Sequence, residues 1–363
     1  MDILILNGGY LGAAPSGGDR HLLALAAGLV EHPMVASVRY YAPDLVEEWL
    51  PSEVDLATYS TRLPRSTIET VLVYAVRLAR AMRLVHRETR PPANIVLTSP
   101  GLVDMLAAFY HRLRYGSRIG IFAFHIGDVR ATGSIRRRFQ TLVSSLAAWP
   151  TMVLLRRADI ILTSTTTVAD DLVARGIPRE RIVFQRPAVD VEAIRQAPSL
   201  PATDVLFVGR LVARKGVFDL LEAAQHFPGT IGLVGDGEEM NALRQRVAAD
   251  GLEERVRFYG AVDDAEVFGL MRGAGVLVLP SYEEGYSLVI AEALVAGTQV
   301  VAYALPHYTE VFGDAIVQVP LGDVEQLGSA LVKVLESQKP PVELDFQTGD
   351  GAARELVEFL EAL

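Results

Sequence analysis

Four short runs in the C-terminal half, Val205–Val208, Ile231–Val234, Val256–Tyr259 and Val276–Leu279, are largely apolar, and each stops at a breaker: Gly209, Gly235, Gly260 or Pro280. Runs of this length ended by glycine or proline read as strands buried on both faces. Helical patterns lie between them, and strands that alternate with helices fold as parallel sheets covered by helices. Further strands are expected at 299–302 and 315–319. The N-terminal half repeats the alternation, with strands expected at 3–6, 35–41, 95–98, 119–124, 160–163 and 182–184, and helices at 21–29, 67–90 and 136–157. The expected architecture is an α/β chain of two domains, 1–190 and 202–348, joined by a proline-containing linker at 191–201. A closing helix at 349–363 could pack on either domain, with the N-terminal one as the candidate.

Length and composition support two packed cores, since the chain has 363 residues of which 50% are hydrophobic. It has no cysteine, which excludes disulfides, thiolate nucleophiles and cysteine-based zinc sites. The start, MDILILNGG, has no basic region ahead of its apolar run, and no uninterrupted apolar stretch is long enough to span a bilayer. The expected location is therefore cytoplasmic. The net charge of −10 divides unevenly: residues 1–197 carry 23 arginines, no lysine and 18 acidic residues, whereas 198–363 carry 11 basic and 26 acidic residues. Such a balance argues against general nucleic-acid binding, which wants a broad basic surface. Only three residues in the chain are lysine, and one of them is Lys215.

Two loops of the second half carry candidate chemistry. After the strand ending at Gly209, the segment Arg210-Leu-Val-Ala-Arg214-Lys215-Gly216 places three cations at the carboxyl end of a parallel strand, where open α/β sheets bind ligands. Guanidinium forks and ammonium charges suit a diphosphate. A solvated basic loop would look the same in isolation. After the strand ending at Leu279, Ser281-Tyr-Glu-Glu284-Gly285 has turn composition, and a helix is expected to begin near Ser287 and end at Gly297. Glu284 then lies just before the N-terminal N–H donors of that helix, with Glu292 over a turn along it. Carboxylates only accept hydrogen bonds, so they suit neighbouring hydroxyls of a polyol. Each glutamate alone is also what an ordinary βα turn carries. No Walker signature and no Asp-x-Asp motif occurs, and Gly8, Gly9 and Gly12 lack the spacing of a dinucleotide fingerprint.

Taken in order, GRLVARKG, VGDGEE, VRFYGAV and PSYEEGYSLVIAEALVAGTQVVAY resemble the large retaining family-4 group of nucleotide-sugar glycosyltransferases. The resemblance implies a GT-B fold, two Rossmann-like domains with parallel sheets facing across a cleft. It implies that Arg210 and Lys215 hold the donor diphosphate, Glu284 contacts the transferred sugar, and Glu292 the ribose. Backbone around Gly285, Tyr286, Ser287 and Leu288 would bind sugar and phosphate, Gly209 and Gly235 would border the nucleotide, and Tyr259 and Val262 would flank the base. In the first half, Gly17 and Gly18 match a glycine-rich loop that approaches the donor, and His125 matches a histidine facing the sugar; Asp128 is a weaker match. Near the linker, Arg186-Pro-Ala-Val-Asp190 departs from the family's Asn-Gly-Val-Asp turn.

The implied reaction moves a hexose-type sugar from a UDP- or GDP-sugar to an acceptor hydroxyl with retention, without a metal or other cofactor. The acceptor would be a glycan, a lipid-linked group or a small molecule. A nucleotide-sugar epimerase, a sugar phosphorylase and a silent sugar-nucleotide-binding module share the same plan and stand as alternatives. Arg77, Arg80, Arg83, Arg87 and Arg90 recur every three or four residues, with Arg112, Arg114, Arg118 and Arg136–Arg138 nearby and the mostly apolar 139–155 beyond. That combination suggests peripheral contact with an anionic membrane, at the inner face of the cytoplasmic membrane. A packed helix with solvated ends would read alike.

Overall fold

The computed structural model describes residues 1–7, 17–59, 67–87, 92–123, 150–337, 342 and 344–362. It contains two compact units, Met1–Ala188 with Gln347–Leu363, and Val189–Phe346. The first is built on strands β1 (Asp2–Leu6), β2 (Ser37–Pro43), β3 (Asp55–Tyr59), β4 (Ile95–Thr98), β5 (Arg118–Phe122), β6 (Ile160–Thr163) and β7 (Ile182–Phe184). All pairings are parallel, in the order β3-β2-β1-β4-β5-β6-β7. Alternation along β1 sends Ile3 and Ile5 into one core and Leu4 and Leu6 into another, so the sheet is covered on both faces. Helices α1 (Gly17–Glu31), α2 (Thr67–His86), α3 (Leu102–Tyr115) and α4 (Thr166–Ala174) belong to this unit.

The closing helix, Gly349–Glu361, packs along α1. Its apolar stripe of Ala352, Ala353, Leu356, Val357 and Leu360 joins the core that contains Leu22 and Leu25. Thr348 caps it by accepting from the Gly351 N–H at 3.2 Å, and Gln185 donates to the Ala352 carbonyl at 2.9 Å. The two helix backbones meet at Gly28, where an added Cβ would lie 2.5 Å from the Gly349 oxygen.

The second unit has strands β8 (Val205–Val208), β9 (Ile231–Val234), β10 (Val256–Gly260), β11 (Val276–Leu279), β12 (Gln299–Tyr303) and β13 (Val317–Val319). They are again all parallel, ordered β10-β9-β8-β11-β12-β13. Counted from its own first strand, this is the same doubly wound order as the first six strands of the other sheet. Its helices are α5 (Val191–Gln196), α6 (Val217–Ala223), α7 (Met240–Ala249), α8 (Asp264–Gly273), α9 (Leu288–Val295), α10 (Tyr308–Phe312) and α11 (Val324–Ser337).

Two features differ from the sequence reading, and a third lies partly outside the described residues. The edge strand β3 has the sequence DLATY, whose polar ends hid it. The stretch 191–201 holds helix α5, capped by the Asp190 carboxylate at 2.9 Å from the Ala193 N–H, with Ile194 fully buried against α8 and α9. The expected helix over 136–157 falls outside the described residues as far as 149, and residues 150–155 are helical.

Candidate functional site

In an all-parallel sheet every carboxyl end lies along one edge, and the order β9-β8-β11-β12 places the reversal of winding between β8 and β11. Loops leaving the two strands on either side of that point diverge and leave a crevice. Here those loops are Gly209–Gly216 and Pro280–Ser287. They are locked together by main chain: the Tyr282 N–H donates to the Arg214 carbonyl at 2.9 Å, and Gly216 has φ 66° with its α-carbon against Pro280. A Cβ on Gly216 would lie 1.8 Å from the Pro280 oxygen, so no other residue fits there without moving a loop. A second lock uses Asp219, whose Oδ2 accepts from Tyr282 at 2.6 Å and Tyr303 at 2.7 Å. Asp219 pushes the Tyr282 phenol up to about 12; burial first, and then Asp219, raises Tyr303 further.

Across this junction the Lys215 ammonium donates to the Glu284 carboxylate, and the two form an ion pair. Both are largely withdrawn from water, their side chains 14% and 9% exposed. Burial pulls the lysine below its ordinary range, Glu284 holds it up, and the neighbouring Arg214 and Arg210 push it down. Arg210, next to Gly209, is exposed at the mouth of the same loop.

Helix α9 begins at Ser287, which has φ 73° and ψ 67° and is the one non-glycine left-handed residue among those described. A serine at this position ordinarily caps the helix with its hydroxyl. Here the hydroxyl is instead 2.7 Å from the buried Tyr308 phenol oxygen, and it makes no capping bond. The N-terminal N–H groups of α9 are therefore left without the cap that their own sequence could supply, beside Glu284 and Lys215. Tyr308 is pushed well up by burial and by Glu284, so it stays a neutral hydrogen-bonding phenol. Tyr286, 7% exposed, packs its ring on Phe312 with centroids 5.7 Å apart. Glu292 is buried on α9, Leu288 opens that helix, Gly285 lies in the loop ahead of it, and Gly297 turns the chain out with φ 83°.

On the other side of β8 the strand ends step along the edge. The Gly209 N–H donates to Val234 at 3.0 Å and the Gly235 N–H to Gly260 at 2.7 Å. With φ 124°, Gly235 brings its α-carbon so close to Gly209 that a Cβ would lie 2.1 Å from the Gly209 oxygen. Val262 is half-buried just past the end of β10. The Tyr259 ring lies back over Gly232 with the Arg257 guanidinium 4.6 Å from its centroid, so Tyr259 presents main chain to this edge.

In the first unit Gly17 and Gly18 are the opening residues of α1. Behind them is a buried network that sequence reading missed: the Asn7 amide donates to Asp19 at 2.8 Å and to the Tyr40 hydroxyl at 3.2 Å. Burial, with Asp19 and Asp104 nearby, raises the Tyr40 phenol. His125 and Asp128 lie outside the described residues, as do Arg90, Arg136–Arg138 and 139–149. The arginine stripe is corrected by the fold: Arg77 is 2% exposed, on the inward face with Ala81 and Val85, while Arg80, Arg83 and Arg87 keep solvent exposure along the flank of the helix. Spacings of three and four span more of a helix than one face, and the apolar Ala81 and Val85 decide which part turns in. Arg112 is engaged by Asp159 at 3.2 and 3.3 Å. Among the described residues no helix is long and apolar enough to cross a membrane, and no group of three or more potential metal-ligating side chains occurs.

Comparison with known proteins gives one family and many relatives. Residues 190–348 match the glycosyl transferases group 1 family. The 2-deoxystreptamine N-acetyl-D-glucosaminyltransferase of Streptomyces fradiae is 34% identical over 292 residues, which cover 74% of this chain and 66% of that protein. Phosphatidyl-myo-inositol mannosyltransferase of Mycobacterium leprae is 37% identical over 166 residues, 41% of this chain and 43% of that protein. The chain thus spans less than two thirds of either relative. Among solved structures, Anabaena HepE in complex with UDP-glucose superposes with a TM-score of 0.72 over 100% of both chains at 17% identity. Sucrose-phosphate synthase from Thermosynechococcus elongatus superposes with a TM-score of 0.71 at 17% identity, over 99% of this chain and 98% of that one.

Proposed function

The chain belongs to the group 1 glycosyl transferases through residues 190–348 and has the GT-B fold of its structural neighbours, and from that premise we propose that it transfers a hexose from a nucleoside diphosphate sugar to an acceptor hydroxyl with retention of anomeric configuration. One observation carries the assignment: at the winding reversal of the second sheet, the Lys215–Glu284 pair sits beside a helix N-terminus whose cap serine is turned away. An anionic diphosphate fits that N-terminus, and the cations beside it complete its neutralisation.

Lys215 and Arg210 take the diphosphate, with the first N–H groups of α9. Glu284, released from Lys215 as the diphosphate arrives, accepts from sugar hydroxyls, and Glu292 accepts from the ribose. The strand ends at Gly209, Gly235 and Val262 border the nucleoside. The bond between the anomeric carbon and the diphosphate oxygen breaks, and a bond from the acceptor oxygen to that carbon forms on the same face. The acceptor proton passes to a phosphate oxygen of the leaving group. Charge growing on that group is met by donors and cations already in place, which is where the rate enhancement arises. No protein base and no metal takes part in this scheme. The acceptor is a hydroxyl of a small molecule, a lipid-linked group or a glycan; relatives are named for 2-deoxystreptamine, phosphatidyl-myo-inositol and lipopolysaccharide core. Peripheral contact with an anionic membrane retains Arg80, Arg83 and Arg87 as its support.

A screen of UDP-, GDP-, ADP- and dTDP-sugars, following nucleoside diphosphate release and sugar products by mass spectrometry, tests the proposal. Release from at least one donor, abolished by Lys215→Ala, is the expected result. Interconversion of the donor sugar would assign an epimerase, no use of any nucleotide sugar but formation of a sugar 1-phosphate from a glycoside and inorganic phosphate a phosphorylase, and binding without turnover a silent module.

A further inference from the structure

Away from the strand ends just described, the first unit contains a cavity of about 400 Å³ between α2 and the β1-β2-β3 side of its sheet. Leu4, Tyr41 and Ala57 contribute its apolar floor. Parallel register places Arg39 beside Leu4 and opposite Asp55, and Tyr41 opposite Ala57, so all of these share the sheet face that α2 covers. Arg39 and Asp55 both line the cavity, one cation against one carboxylate. The remaining charge comes from α2, whose Arg80, Arg83 and Arg87 line the same space.

Those three arginines stand at i, i+3 and i+7, one behind another along one helix face. None has a carboxylate partner among the described residues. Like charges at this spacing repel each other, and Arg80 lies more than a turn before the helix end, beyond the reach of the dipole. A recess with an apolar floor and three unmatched guanidinium groups has the composition of an anion site. Planar guanidinium forks match phosphoryl oxygens, and the volume suits a phosphorylated ring or headgroup.

We propose that this α2–β2–β3 cavity binds the phosphoryl group of an organic phosphate, Arg80, Arg83 and Arg87 holding the oxyanion while Leu4, Tyr41 and Ala57 take the carrier. The carrier is either a membrane phospholipid or a soluble phosphate ester, and two probes separate them. Inorganic pyrophosphate is titrated into the full chain by calorimetry, and sedimentation is measured with vesicles of equimolar phosphatidylcholine and phosphatidic acid against phosphatidylcholine alone. Each titration is repeated in Lys215→Met, which removes pyrophosphate binding by the second unit. Pyrophosphate binding that persists in Lys215→Met identifies a soluble ligand, and sedimentation with acidic vesicles alone identifies a lipid; either supports the site. The combined Arg80→Gln, Arg83→Gln and Arg87→Gln variant should lose affinity by about 100-fold or more while its thermal unfolding stays intact. Replacement of the same three by lysine should recover only part of it, because the fork is lost. Absence of binding to both probes, undiminished binding by the glutamine variant, or full binding by the lysine variant would overturn the proposal.

Discussion

Breaking the Lys215–Glu284 pair gives a prediction whose size follows from burial. With side chains 14% and 9% exposed, the two charges sit where a partner's removal costs far more than at a surface. Glu284→Gln keeps the shape and removes the countercharge, leaving an ammonium that burial, Arg214 and Arg210 already disfavour. The expected loss is about 3 kcal/mol. It has a ceiling, because the lysine can escape by deprotonating: from its ordinary 10.5 to neutral pH this costs about 5 kcal/mol. In the variant the folded protein then holds the Lys215 proton less tightly than the unfolded chain. Stability must therefore rise with pH between the folded and unfolded values, and the deficit shrinks towards pH 10.5. Lys215→Met alone leaves a buried carboxylate and costs a similar amount, whereas the double variant should approach wild type. Because the chain has two units, the readout is hydrogen exchange of α6 and α9 at several pH values, which reports local opening free energies. Additive single-variant losses, with a coupling below about 0.5 kcal/mol, would show that the two side chains do not stabilise each other.

Three further outcomes follow. Gly216→Ala should open the crevice loops and cost about 3 kcal/mol in the same exchange measurement, since its Cβ would lie 1.8 Å from the Pro280 oxygen at φ 66°. Burial lowers the His21 pKa to about 4, partly offset by Gln185, and its Nδ1 accepts from the Ala188 N–H at 2.9 Å. The unfolded chain thus binds the extra proton first. The first unit should be fully stable above about pH 6.5 and lose up to about 3 kcal/mol as pH falls to about 4, a dependence that His21→Gln flattens in urea titrations. Tyr308→Phe removes the partner of the Ser287 hydroxyl and should cost about 1 kcal/mol, with weaker donor binding as the serine turns to cap α9; an unchanged donor affinity would show that the cap is not held away by Tyr308.

Strands buried on both faces were legible to the residue: 160–163, 205–208, 231–234 and 276–279 stand as expected, because an apolar run bounded by breakers reads as a strand. The half-exposed edge β3 was not, since its polar DLATY carries no such run. At the site, residue types and loop positions could be read, and contacts could not. Ser287 was legible as a helix start. Its left-handed backbone and its bond to Tyr308, 21 residues on, depend on how α10 packs beside α9. Asp219 gave no signal, because its two tyrosine partners lie 63 and 84 residues away.

Donor-diphosphate binding by Lys215 is tested most directly by calorimetric titration of UDP and GDP into the wild-type chain and Lys215→Met. At least one nucleotide should bind the second unit of the wild type, and the substitution should weaken that binding by about 100-fold, near 3 kcal/mol. Equal affinity in both proteins would contradict that role for Lys215.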